Sequence, residues 1–268
     1  MSMELLQPER LIGNMEKIVG RSYASATGDI FEDIFWRRIS TIQNTSSIFQ
    51  NDRFEFEKYK NFKSLSMLGL VSGESGLLQI SEEQKAMVAG AMTALARDHP
   101  CLDRAIQLST PRNAFINAPS LVAMSGSSFS AIGFSFVNLN DLKKGDVIKL
   151  MIHESVHNSI NIEDICEGIF TEKHIVEDKR YHFLSSIRKT ERRFDYAFHA
   201  LMVDIALYQF DMIAVSRPDR ERERSIALCL DAARRARDRS VADGKPLLTA
   251  NGDNLLETVA ASWQTALP

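Results

Sequence analysis

Cysteine is scarce in this chain of 268 residues: Cys101, Cys166 and Cys229 are odd in number and far apart. That usage excludes a disulfide framework or a CxxC zinc knuckle. Charge of one sign is missing too. Lys and Arg total 32 against 35 Asp and Glu, a net charge of -3, so there is no global basic excess to suggest nucleic acid. Long hydrophobic runs are also absent. No stretch approaches the roughly 20 apolar residues of a membrane span, and the opening MSMELLQPERLIGNMEKIV has neither a basic flank with an apolar core nor a cleavage site. The expectation is a cytoplasmic protein with no membrane and no nucleic-acid partner, long enough to bury a substantial core.

What the chain does have is VIKLMIHESVHNSINI, residues 147–162, with His-Glu-x-x-His inside it. His153 and His157 are four residues apart, which on a helix stacks both imidazoles on one face, close enough to share a metal ion. Glu154 lies about 100° further round, within reach of a metal-bound water or a neighbouring ligand. A helix start falls near 140–146, and Val147, Ile148, Leu150, Met151, Ile152 and Val156 make the run apolar nearly all round, as in a core helix. Two histidines and a glutamate are costly there unless paired or coordinated. A two-histidine metal site leads; the competing reading is a core helix whose histidines hydrogen-bond to neighbours.

Residues 1 to about 70 read as mostly helical. Within them NDRFEFEKYKNFK, residues 51–63, alternates aromatic and charged residues, and its interleaved acids favour a solvated amphipathic element over base stacking. VSGESG at 71–76 is a break. Ser81 with Gln84 predicts a capped helix ending before Pro100. After Pro111 short strands are expected at 114–117, 121–124 and 132–139, with SGSS at 125–128 as a turn. A strand closely followed by such a helix also occurs in zinc hydrolases, whose edge strand can bind an extended peptide. Residues 161–179 read as loop or short helices, and strong helix patterns follow in the second half of 181–210, after Pro218, and at 254–263.

The fold class expected is mainly helical α+β: a small β-sheet preceding the buried HExxH helix, and a helical C-terminal half. An N-terminal helical portion, 1–110, packs on a metal-binding catalytic portion, 111–268, as one compact unit.

A catalytic metal needs a third ligand. His199 has an apolar setting, whereas Glu163, Glu167, Glu172, Glu177, His174 and His182 fall in polar sequence. Arg192 precedes His199 by seven residues, two turns if one helix holds both, and an arginine so placed suits a co-substrate carboxylate. The competing reading makes RKTERR a solvated helix start with internal ion pairs. The arginine-rich 217–243 is likewise read as a solvated helix face, not as an acidic-peptide site.

Three features occur in an order that resembles the HExxH-type iron(II) and 2-oxoglutarate dependent peptide β-hydroxylases, proteins associated with modification of ribosomally made peptides. They are LMIHESVHNSI, then IRKTERRFDYAFHA, where the family runs Trp-Arg, two residues, Pro-Arg-Pro and a helix histidine, then a helical tail with DGKPLL. The resemblance covers roughly residues 110–265 and departs from the family at Ile187, Glu191 and Arg193. It implies iron(II) on His153, His157 and His199, 2-oxoglutarate held by Arg188 or Arg192, and C–H hydroxylation of a peptide or amino-acid substrate, free or bound to a carrier or leader. Glu154 would orient a ligand or water. The alternatives are a zinc-dependent HExxH metallopeptidase, in which Glu154 is the general base, and a noncatalytic helical binding protein.

Overall fold

In this computed structural model the residues described are 4–20, 35–36, 54–55, 78–127, 129, 132–215 and 219–265. The expectations for residues 21–34, 37–53 and 56–70 and for the break at 71–76 lie outside them. In chain order the elements are α1 (Pro8–Val19), β1 (Phe54–Glu55), α2 (Glu82–Asp98), α3 (Pro100–Ser109), β2 (Arg112–Ile116), β3 (Ser125–Ser127), β4 (Phe134–Asn138), α4 (Lys144–Glu167), α5 (Lys173–Val176), β5 (Phe183–Leu184), β6 (Glu191–Arg192), α6 (Phe194–Val215), α7 (Arg220–Ala242) and α8 (Ala250–Thr265). The protein is mainly helical α+β. Its packing divides the chain inside α4, giving one unit of residues 6–162 and another of 163–268 with residues 1–5. α2 and α3 belong to the same unit as β2 to β4.

In the first unit the capping box at the start of α2 forms as its residue types dictate. Gln84 N–H donates to the Ser81 hydroxyl, and Ser81 N–H donates to the Gln84 side chain. The sheet runs β1-β2-β4-β3, with β1, β2 and β4 parallel and β3 antiparallel on an edge. Residues 121–124 are not a strand, and 125–127, expected as a turn, are. A turn closed by Leu121 N–H on the Ala118 carbonyl carries the chain away from the sheet, leaving Val122 94% exposed. Pairing resumes at Ser125, opposite Val137. Apolar side chains alone misassign such a segment, because backbone pairing decides the strand.

β4 is buried on both faces, so the alternation in IGFSFVNL does not separate a wet face from a dry one. Its polar residues are satisfied internally: Ser135 donates to Asn113 (2.6 Å), and Asn138 brackets the backbone of Ala118. Gly133, just before β4, has φ +84, and a Cβ there would overlap the Trp36 ring. Its N–H donates to Asn158 of α4 at 3.1 Å. Gly133→Ala therefore combines a left-handed backbone with a steric overlap, and a loss of about 3 kcal/mol is expected in denaturant unfolding, with the cost concentrated in this unit.

In the second unit α6 is buried along most of its length, and Phe170, Phe183, Phe194 and Phe198 form a cluster with ring centroids 5.4–6.5 Å apart. Contrary to the expectation that no stretch approaches a membrane span, 194–214 is long and apolar enough to cross one by length and composition, and 67% of that window is buried in the protein, as in a core helix. Arg222 of α7 reaches the nearly buried Asp204 (2.6 Å) and Asp211 (3.0 Å) of α6. Asp219 caps α7 by accepting from the N–H groups of Glu221 and Arg222.

Candidate metal centre

Helix α4 begins where Asp146 accepts from Lys143 N–H, and it carries the motif on a face fixed by buried polar residues rather than by apolar packing alone. Asn158 donates to the Thr110 hydroxyl (3.0 Å) and accepts from Gly133 N–H, while the Thr110 hydroxyl donates to Ser155 at 3.2 Å. Ser155 and Asn158 are both fully buried. These bonds pin the rotation of α4 against the ends of β2 and β4, and with it the direction of the two histidines.

His153 and His157 meet. Their Nε2 atoms are 3.2 Å apart, with ring centroids at 4.9 Å and planes at 61°. Two imidazoles bound at about 2.0–2.1 Å to one ion, with an angle between a right angle and a tetrahedral one, have their nitrogens roughly 2.9–3.4 Å apart. The observed separation falls within that interval. It is equally the length of an imidazole–imidazole hydrogen bond, the arrangement expected if the pair is merely a satisfied core feature. Imidazole donors suit iron(II) and zinc alike, so the chemistry of the pair fits either ion.

Glu154 is buried, 2% exposed, and its Oε1 lies 3.9 Å from His153 Nε2. Ser125, the first residue of β3, donates to that same Oε1 at 2.6 Å. Oε2 is buried and has no hydrogen-bond partner among the described residues. Ser125 was not legible as a site residue, since the sequence presents it as part of a small polar turn.

His199 belongs to the second unit. Its ring stacks on Phe170 (6.1 Å, 18°), and burial pushes its pKa down to about 4, with Asp195 opposing the shift. At neutral pH the imidazole is therefore uncharged, the form in which histidine coordinates metals. Among the described residues no group of three or more His, Cys, Asp or Glu side chains stands close enough together to hold a metal ion. Of the other candidates, Glu163 is not solvated: it is 3% exposed and accepts from the Asn251 amide. Glu172 pairs with His174 at the surface, and Glu177 with Arg193.

The two arginines do not share a helical stripe with His199. Arg192 lies in β6, paired with Phe183 of β5, and α6 starts only at Phe194. Arg188 is exposed in the turn of that hairpin, where its N–H donates to the Ser185 hydroxyl. The hairpin is tied to α6 beside the histidine, because Ser186 donates to the Ala200 carbonyl at 3.0 Å. Arg193 is paired with Asp195 and Glu177. Among the described residues Arg188 and Arg192 make no ion pair, and Arg192 lies over the Tyr196 ring at 5.0 Å. RKTERR is thus a hairpin arm, not a helix start, and only its last arginine has the internal ion pairs of the solvated reading. No family model matches the chain, and no curated protein matches it.

Proposed function

We propose that this protein is a non-haem iron(II), 2-oxoglutarate dependent oxygenase that hydroxylates a C–H bond of a peptide or amino-acid substrate. The observation that carries the proposal is the convergence of the His153 and His157 Nε2 atoms at 3.2 Å. Two further considerations, both resting on the resemblance, support it. The ordered resemblance assigns the third ligand position to His199, whose uncharged imidazole has the protonation state a ligand needs. It also selects, of three neighbouring arginines, the two that no carboxylate in the described chain neutralises.

When bound, iron and 2-oxoglutarate supply the oxidising power through oxidative decarboxylation. The protein's own residues bind and orient. His153, His157 and His199 would hold the ion, and the guanidinium of Arg192 or Arg188 would take the distal carboxylate of the co-substrate. Glu154, fixed through Oε1 by Ser125, would use Oε2 to accept a hydrogen bond from a water or substrate group at the metal.

Two observations favour a second reading, a zinc hydrolase. Glu154 is beside the histidine pair, and the sheet ends in an antiparallel edge strand, β3, on which an extended peptide can add a strand. Glu154→Gln separates the two. A hydrolase loses its general base, a loss of about 10²- to 10⁴-fold. In the oxygenase, Glu154→Gln retains iron and still decarboxylates 2-oxoglutarate without coupling. Peptide cleavage by the wild type that disappears in this variant contradicts the oxygenase assignment.

A further inference from the structure

The Ser125–Glu154 hydrogen bond joins β3, an edge strand among the described residues, to the motif helix at a carboxylate next to the histidine pair. At 2.6 Å it has the length of a hydroxyl donating to a carboxylate, a charge-assisted bond of roughly 2.5–2.7 Å. Glu154 is buried, and Oε1 takes the only hydrogen bond its carboxylate accepts in the described structure. Without that hydroxyl the carboxylate would keep no hydrogen bond among the described residues, only the 3.9 Å approach to His153. The backbone of Ser125 is held independently of its side chain by pairing with Val137. The hydroxyl therefore starts from a fixed point and fixes a second one.

We propose that Ser125 is a positioning residue, which acts through Glu154 by holding Oε1 and so leaving Oε2 as the acceptor presented to whatever occupies the His153–His157 centre. This deepens the metal-centre reading and rests on it. It makes the start of β3 part of the centre, so a substrate strand adding to that edge would lie alongside the residue that orients Glu154.

The test uses the full chain and cobalt(II) as the probe ion, with two readouts. The first needs no metal: thermal unfolding of the apoprotein for wild type, Ser125→Ala, Glu154→Gln and the double variant. Non-additive shifts in Tm are expected, because the two side chains share one bond. The second is the visible absorption of cobalt(II)-loaded protein. Ser125→Ala is expected to keep cobalt affinity within about fivefold, since both imidazoles remain, but to change band position and intensity, and Ser125→Thr, which restores the hydroxyl, is expected to restore the wild-type spectrum. Non-additive Tm shifts with an unchanged spectrum in Ser125→Ala would reduce the bond to a structural tie and overturn the proposal. Failure of Ser125→Thr to restore the spectrum would overturn it too. Should the wild type take up no cobalt while the coupling persists, the metal-centre reading fails and the positioning role with it, although the contact itself stands.

Discussion

Alanine in place of either His153 or His157 is expected to abolish stoichiometric metal binding, with affinity falling by well over the roughly 10- to 100-fold that loss of an outer-shell partner costs. A single remaining imidazole of the pair leaves the ion too few donors in this unit. The fold survives, because the His153 side chain keeps 24% of its surface exposed and α4 is anchored by Ser155, Asn158 and its apolar face. A shift in Tm of only about 2–4 °C, near 1 kcal/mol for a chain of this size, is expected for the apoprotein. Metal analysis of the purified variants alongside thermal unfolding checks both halves. Full metal content in either variant removes the histidine pair from the site.

The arginines come next, because they separate 2-oxoglutarate use from metal chemistry in general. Arg192 is half-buried over Tyr196, and truncating it is expected to raise the 2-oxoglutarate KM by roughly 30-fold, about 2 kcal/mol, as for a charge-assisted pair with one partner removed. Arg188 is exposed in the hairpin turn. Solvent screens such a charge, so Arg188→Ala is expected to cost only about fivefold, near 1 kcal/mol. In both variants iron affinity stays close to wild type. Lysine at 192 is expected to rescue little, since an ammonium lacks the planar fork that matches a carboxylate. An unchanged co-substrate requirement in both alanine variants moves the assignment to the zinc hydrolase.

Much of this was legible in the sequence for identifiable physical reasons. Four-residue spacing fixes the faces of His153 and His157 on any helix, and Ser81 with Gln84 announces the start of α2. Pro100 opens α3 just as α2 ends. The readings that differ from the structure concern interactions between segments. Leu121 to Met124 are apolar enough for a strand, but Leu121 N–H closes a turn on Ala118 and Met124 meets β4 through its carbonyl, whereas Ser125 to Ser127 pair in register with β4 despite poor strand propensity. The seven residues between Arg192 and His199 put them on one face only if a single helix holds both, and the short β5–β6 pairing keeps Arg192 in an extended segment that ends just before Phe194. Ser125 and Asn158 were invisible as site residues, since each acts through a partner distant in sequence, at Glu154 and Gly133.

The central claim is that the histidine pair holds iron to which 2-oxoglutarate chelates, and anaerobic titration of the apoprotein with iron(II) and then 2-oxoglutarate tests it most directly. The account predicts one iron per chain and, on adding the keto acid, the weak visible charge-transfer band of its chelate. Absence of stoichiometric iron, or iron uptake with no band at saturating 2-oxoglutarate, would contradict it.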